Sequence, residues 1–185
     1  MLTTLEKPTF LLDANVFIEA KRRYYAFDLC PGFWDCLTSL HGAGHLYSID
    51  RIKKELEGDR AKKELEREND ELVEWLSEAM PSDCFLSTDD DSVISCYRQI
   101  ISWVYEQEQF KNEAKTEFGE SADGWLVACA KAREMVLVTQ EVYAPDARRK
   151  VKMPNICREF GVHYTDTFGM LRELGVSFHW KRTSG

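Results

Sequence analysis

Four carboxylates in this chain stand where they could do chemistry. Asp13 directly follows the apolar run Phe10-Leu11-Leu12. In an open α/β sheet, ligands bind outside the carboxyl ends of the strands, which is where Asp13 falls. Asn15 lies two residues further on. A helix N-cap or Asx turn would equally account for both residues. Glu141 follows a second apolar run, Met135-Val136-Leu137-Val138-Thr139, by two residues, and the Thr139 hydroxyl is placed to orient a ligand or to close the strand. Asp123 opens the stretch Ser121-Ala122-Asp123-Gly124-Trp125, where the start of a helix favours an acid in any case. A right-handed crossover brings that helix start to the same sheet edge as Asp13. Glu55 sits in the helix expected after the second strand, again at this edge. No His, Cys or Lys belongs to this group. An all-oxygen donor set suits a hard cation, Mg²⁺ or Mn²⁺, rather than zinc. Carboxylates crowded together repel one another, and a divalent cation relieves that repulsion.

These residues need elements to hold them. Strands are expected at Thr9–Leu12, His45–Ser48, Cys84–Ser87, Met135–Thr139 and Val162–Tyr164, all short and mostly apolar, as strands covered on both faces are. Helices are expected at Asn15–Tyr24, Pro31–Leu40, Ile49–Leu56, Ala61–Met80, Asp91–Phe118, Ala122–Arg133 and Asp166–Leu174. Ser48 and Ser121 have the right type for N-caps, and Gly175 for a helix end. Alternating strands and helices indicate an α/β fold with a central parallel sheet of about five strands. One domain over residues 1–185 is expected, with a helical insertion around 89–120. The pentapeptide repeat KKELE, at 53–57 and again at 62–66, makes Glu64 a rival to Glu55. The apolar positions Val93, Tyr97, Ile100, Ile101, Val104 and Tyr105 read as a buried helical stripe, and Trp34, Trp75, Trp103 and Trp125 as packing residues.

The 185 residues are 44% hydrophobic, which excludes a mostly disordered chain. No apolar run reaches the roughly 18 residues of a membrane span. The N-terminal stretch lacks the pattern of a signal peptide, so a cytoplasmic protein is expected. Its six cysteines are scattered, as free thiols are. The net charge of −8 argues at first against a nucleic-acid partner, since phosphate binders are usually basic. However, ten acids against four bases fall within residues 55–78, a stretch that reads largely as a solvent-facing surface.

Taken in order, LLDANVFIEA, SIDRIKKEL, SADGWLVACAKA and MVLVTQE resemble the motifs of the PIN-domain ribonucleases, the fold of VapC-type toxins. The stretches at 20–34 and 152–157 are similar to a PIN subfamily without an assigned biological role. The resemblance implies metal-dependent hydrolysis of RNA phosphodiester bonds. It implies Asp13, Glu55, Asp123 and Glu141 as catalytic and metal-binding acids, with Asn15 and Thr139 in support and Mg²⁺ or Mn²⁺ as cofactor. It also implies a toxin–antitoxin setting with a small antitoxin partner, and a homodimer. Grip on RNA is expected from Lys21, Arg22 and Arg23 beside Tyr24 and Tyr25, and from Arg148, Arg149, Lys150 and Lys152. The alternatives are a catalytically silent PIN-fold binding module, a metal-dependent DNA nuclease, and a phosphatase or phosphoryl-accepting domain. The usual phosphatase pattern has a second Asp where this chain has Asn15.

Overall fold

The computed structural model describes residues 7–58 and 70–179. Five short strands form one parallel sheet: β1 (Phe10–Leu12), β2 (Leu46–Ile49), β3 (Phe85–Leu86), β4 (Val136–Val138) and β5 (Tyr164–Thr165). Their spatial order is β3-β2-β1-β4-β5, all parallel, which is the expected α/β architecture. The central strand β1 is wholly apolar and fully buried, because a middle strand of a covered parallel sheet has no solvent face. The chain runs outward from β1 to β3, then returns to lay β4 on the other side of β1. The direction of winding therefore reverses between β1 and β4, where doubly wound sheets bind ligands.

The described helices are α1 (Ala14–Glu19), α2 (Pro31–Gly42), α3 (Asp50–Gly58), α4 (Glu71–Glu78), α5 (Asp91–Glu106), α6 (Asn112–Glu120), α7 (Asp123–Ala132), α8 (Met153–Phe160) and α9 (Thr167–Glu173). In α7, Gly124 and every residue from Leu126 to Ala130 are buried, as befits a helix packed against β2 and β4 on one side and α5 on another. Gly175 adopts the left-handed backbone expected of a residue just past a helix end.

Several expectations are corrected. The helix expected over 15–24 is α-helical only to Glu19 and then widens into a π-helical turn, Ala20–Tyr24. The single helix expected over 91–118 is two helices. Between them, Lys111 N–H donates to the Arg148 carbonyl at 2.9 Å, and the Gln109 amide donates to the carbonyls of Pro145 and Ala147 at 2.7 and 2.8 Å. A continuous helix would tie up Lys111 N–H internally, so the break holds the 141–152 loop in place. Ser48 does not cap a helix. It lies within β2, and its hydroxyl donates to the Leu12 carbonyl at 2.7 Å. Tyr105, expected in the buried stripe, is 51% exposed, whereas Val93, Ile100 and Val104 are buried. Helix α8 was not anticipated, although Pro154 in its first turn is a helix-start signal. Of the helix expected over 61–80, residues 61–69 lie outside the described residues, as does Glu64.

The Ser48–Leu12 hydrogen bond fixes the carboxyl end of β1 one residue before Asp13. Ser48→Ala should lower unfolding stability by about 1–2 kcal/mol, because a buried carbonyl loses a donor. Urea denaturation of both proteins measures the difference.

Candidate functional site

Asp13 and Thr139 each follow a residue of the last paired position of β1 and β4, Leu12 and Val138. The register therefore sets them side by side. The Thr139 hydroxyl donates to Asp13 Oδ2 at 3.0 Å, and the Asn15 amide donates to the same oxygen at 3.4 Å. Asp13 is only 2% exposed. It occupies the N-cap position of α1, yet its side chain accepts no capping hydrogen bond from that helix. Capping thus does not account for a buried carboxylate there.

Thr139 also accepts from Glu141 N–H at 3.1 Å, linking the two acids through one hydroxyl. Glu141 turns its carboxylate toward the start of α8, where Met153 N–H donates to Oε2 at 2.8 Å. An acid at a helix N-terminus satisfies an orphan donor and complements the helix dipole. Lys150 Nζ stands 2.7 Å from Glu141 Oε1, and Lys152 Nζ stands 3.7 Å from it. The two lysines thus ion-pair with the buried Oε1, and, against the opposing effect of burial, the Glu141 charge holds the Lys150 ammonium above its ordinary pKa.

Asp13, Glu55, Asp123 and Glu141 line one cavity of about 580 Å³. Helices α3 and α7 deliver Glu55 and Asp123, and the α6 residues Glu117, Phe118 and Glu120 form a wall. The expected insertion at 89–120 thus contributes a side of the site. Burial pushes the Asp13 carboxyl up to about 6; the Thr139 hydrogen bond pulls it down, and the charges of Glu141 and Glu55 raise it. Burial likewise takes Asp123 to about 7, with Asp13 and Glu141 adding to the rise and Lys150 offsetting part of it. Glu55 is raised by partial burial and then by Asp123. The acids therefore act on one another electrostatically. Among the described residues, no three acidic, histidine or cysteine side chains are already gathered around one point. Mutual repulsion favours that separation, and Lys150 and Met153 N–H hold Glu141 to one side.

The basic residues are distributed otherwise than expected. Lys21 is paired with Asp70 at 2.6 Å and Arg23 with Glu19 at 2.7 Å, while Arg22 is exposed. None of the three lines the cavity. Arg148 and Arg149 are exposed on the loop before α8, also outside the lining. Lys150 lines it, and Lys152 meets Glu141. Tyr25 stacks on Phe33 with ring centroids 4.1 Å apart, whereas Tyr24 is 55% exposed. Two lining cations, Arg51 and Lys54, escaped the sequence reading. Their signal was present: 51, 54 and 55 share one face of α3, opposite the buried Ile52 and Leu56. Trp125, expected to be a packing residue, is half-buried and stacked between Tyr97 and Arg51.

Residues 10–178 match the family described as "Domain of unknown function (DUF4411)". The chain belongs to that family. The DUF4411 match spans all five strands and Asp13, Glu55, Asp123 and Glu141. No curated protein and no solved structure matches the chain.

The two raised pKa values give this DUF4411 chain a pH signature. The folded state retains protons that the unfolded state releases, so stability falls as pH rises from about 4, near the ordinary Asp value of 3.8, through about 7. Asp123→Asn removes one buried charge. In metal-free buffer it should raise Tm at pH 8, by about 2–4 °C for each kcal/mol relieved, and by much less at pH 5. Thermal unfolding at the two pH values tests this; an equal change at both would contradict it.

Proposed function

We propose that this chain is a PIN-like, metal-dependent ribonuclease that hydrolyses RNA phosphodiester bonds. The observation that carries this reading is the convergence of Asp13, Glu55, Asp123 and Glu141 on one cavity beside the β1–β4 switch point, with Asp13 and Asp123 raised to about 6 and about 7. The donors suit Mg²⁺ or Mn²⁺: all are carboxylate oxygens, and the mutual repulsion of Asp13, Glu55, Asp123 and Glu141 calls for countercharge. Asp13, Asp123, Glu55 and Glu141 are the residues that would hold the cation. When bound, such an ion supplies Lewis-acid polarisation of a phosphoryl oxygen and a water of lowered pKa.

The chain's own residues do the remaining work. Thr139 and Asn15 orient Asp13, so its carboxylate keeps one direction as charge develops at the site. Lys150 offsets the charge of Glu141 and of Asp123. The α6 residues Glu117, Phe118 and Glu120 line the cavity beside the acids. A cytoplasmic setting belongs to the same proposal, supported by six unpaired cysteines and by the lack, among the described residues, of a helix long and apolar enough to cross a membrane. So does service as the toxin of a toxin–antitoxin pair, with an antitoxin covering the cavity and a second copy forming a homodimer; the resemblance to VapC-type toxins supports these.

One observation favours a second reading, a PIN-fold binding module without turnover: Glu141 is already engaged by Lys150 and by Met153 N–H. Incubation of single-stranded RNA with Mg²⁺ or Mn²⁺ separates the two. The wild type should cleave, and EDTA should abolish cleavage. Asp13→Asn should lower the rate by about 100-fold or more, and Thr139→Val by about 10-fold. Equal rates for wild type and Asp13→Asn would refute the ribonuclease reading. A single-stranded DNA substrate in parallel identifies a DNA nuclease.

A further inference from the structure

Arg51 is held from two directions at the rim of the acidic cavity. It lies in the first turn of α3, one turn before Glu55 and on the same face. Its Nε–H donates to Thr88 Oγ1 at 3.1 Å. Thr88 is 3% exposed, and its hydroxyl donates to Asp50 Oδ1 at 2.9 Å. That hydroxyl therefore has a defined orientation, with its lone pair left for Arg51. The guanidinium carbon lies 4.0 Å from the centroid of the Trp125 ring. Tyr97 stacks on the other face of Trp125, with centroids 3.7 Å apart and planes within 11°. The Tyr97 hydroxyl is anchored in turn to the Gly119 carbonyl at 2.9 Å. Gly124 makes room for this stack: a Cβ there would stand 3.0 Å from the Tyr97 ring.

This support engages only one of the five guanidinium N–H donors. The two terminal nitrogens donate to no group among the described residues, and no carboxylate among them pairs with Arg51, although Asp50 is its neighbour and Glu55 and Asp123 line the same cavity. Lys21, Arg23, Lys150 and Lys152, by contrast, are all paired with acids. An arginine whose stem and Nε are already ordered loses little entropy on binding, and its free fork matches two oxygens of a phosphate.

We propose that Arg51 is a pre-aligned phosphate-binding residue of this site, gripping a backbone phosphate of single-stranded RNA alongside the carboxylates. The proposal rests on the nuclease reading for the identity of its ligand. A purely structural role, in which Arg51 tethers α3 to Trp125 of α7, makes different predictions.

The test combines anisotropy binding of a short labelled single-stranded oligoribonucleotide in EDTA across a salt series, cleavage kinetics of the same oligonucleotide with Mg²⁺, and thermal unfolding. Arg51→Met should weaken binding about tenfold and reduce the slope of log affinity against log salt by about 0.7, the contribution of one phosphate contact on a single strand. Arg51→Lys keeps the charge and most of the slope but should lose severalfold affinity, because it lacks the fork and the stack. Thr88→Val should raise KM severalfold with the slope intact. Unchanged affinity, slope and KM in Arg51→Met would overturn the proposal, and a lowered Tm alone would mark the residue as a tether. If the wild type cleaves while Arg51→Met matches it, the nuclease reading stands and this inference falls. If the wild type binds without cleaving and Arg51→Met loses binding, the reverse holds. A wild type that neither binds nor cleaves refutes both.

Discussion

The site depends on one buried hydrogen bond, from the Thr139 hydroxyl to the Asp13 carboxylate. A carboxylate at the end of a fully buried central strand is costly to ionise, and its raised pKa expresses that cost. The parallel register of β1 and β4 offsets part of it by placing a hydroxyl donor beside the acid. The same hydroxyl accepts Glu141 N–H, so the chain leaving β4 is directed by the strand pairing that positions Asp13. Ser48 adds a third strand to the arrangement by binding the Leu12 carbonyl. Asp13 is thus anchored through β1, β2 and β4 together.

The rest of the cavity is brought in by segments distant along the chain. The break between α5 and α6 frees Gln109 and Lys111 to hold the loop that carries Lys150 to Glu141. Helix α8 then uses Glu141 at its first turn. Helix α6 closes a wall, and the Tyr97–Trp125–Arg51 stack joins α5, α7 and α3 at the rim. Helices α5 and α6 are therefore part of the site's construction. The resulting cavity mixes six carboxylates with three cations, so its lining shares the acidic excess of the whole chain, and a bound cation would offset part of it.

The first four strand positions were legible because each is a short, mostly apolar run with an acid or hydroxyl just past its end. The fifth, expected at Val162–Tyr164, lies at Tyr164–Thr165, a polar edge strand without that pattern. Asp13, Asp123 and Glu141 were legible for the same reason: position at a strand end or helix start follows from local pattern once the fold class is known. The break at 107–111 was not, because Gln, Glu and Lys favour helix locally, and only contacts with residues 145–148 draw their donors elsewhere. The Lys21-Arg22-Arg23 cluster looked available in sequence, but Asp70 lies far along the chain and claims Lys21.

Read alone, the chain specified the α/β class, the five strands and the acids that end at one sheet edge, since periodicity and strand-end chemistry are local properties. Packing decided which charges remain available there. Lys21 is claimed by Asp70 and Arg51 is ordered by Thr88 and Trp125, partners tens of residues away along the chain. Glu141 is engaged by Lys150 and by the start of α8, whereas Arg51 is ordered by Thr88 and Trp125 and left with an open fork. No local pattern encodes that difference, because it arises only when α3, α7 and the loops after β3 and β4 meet.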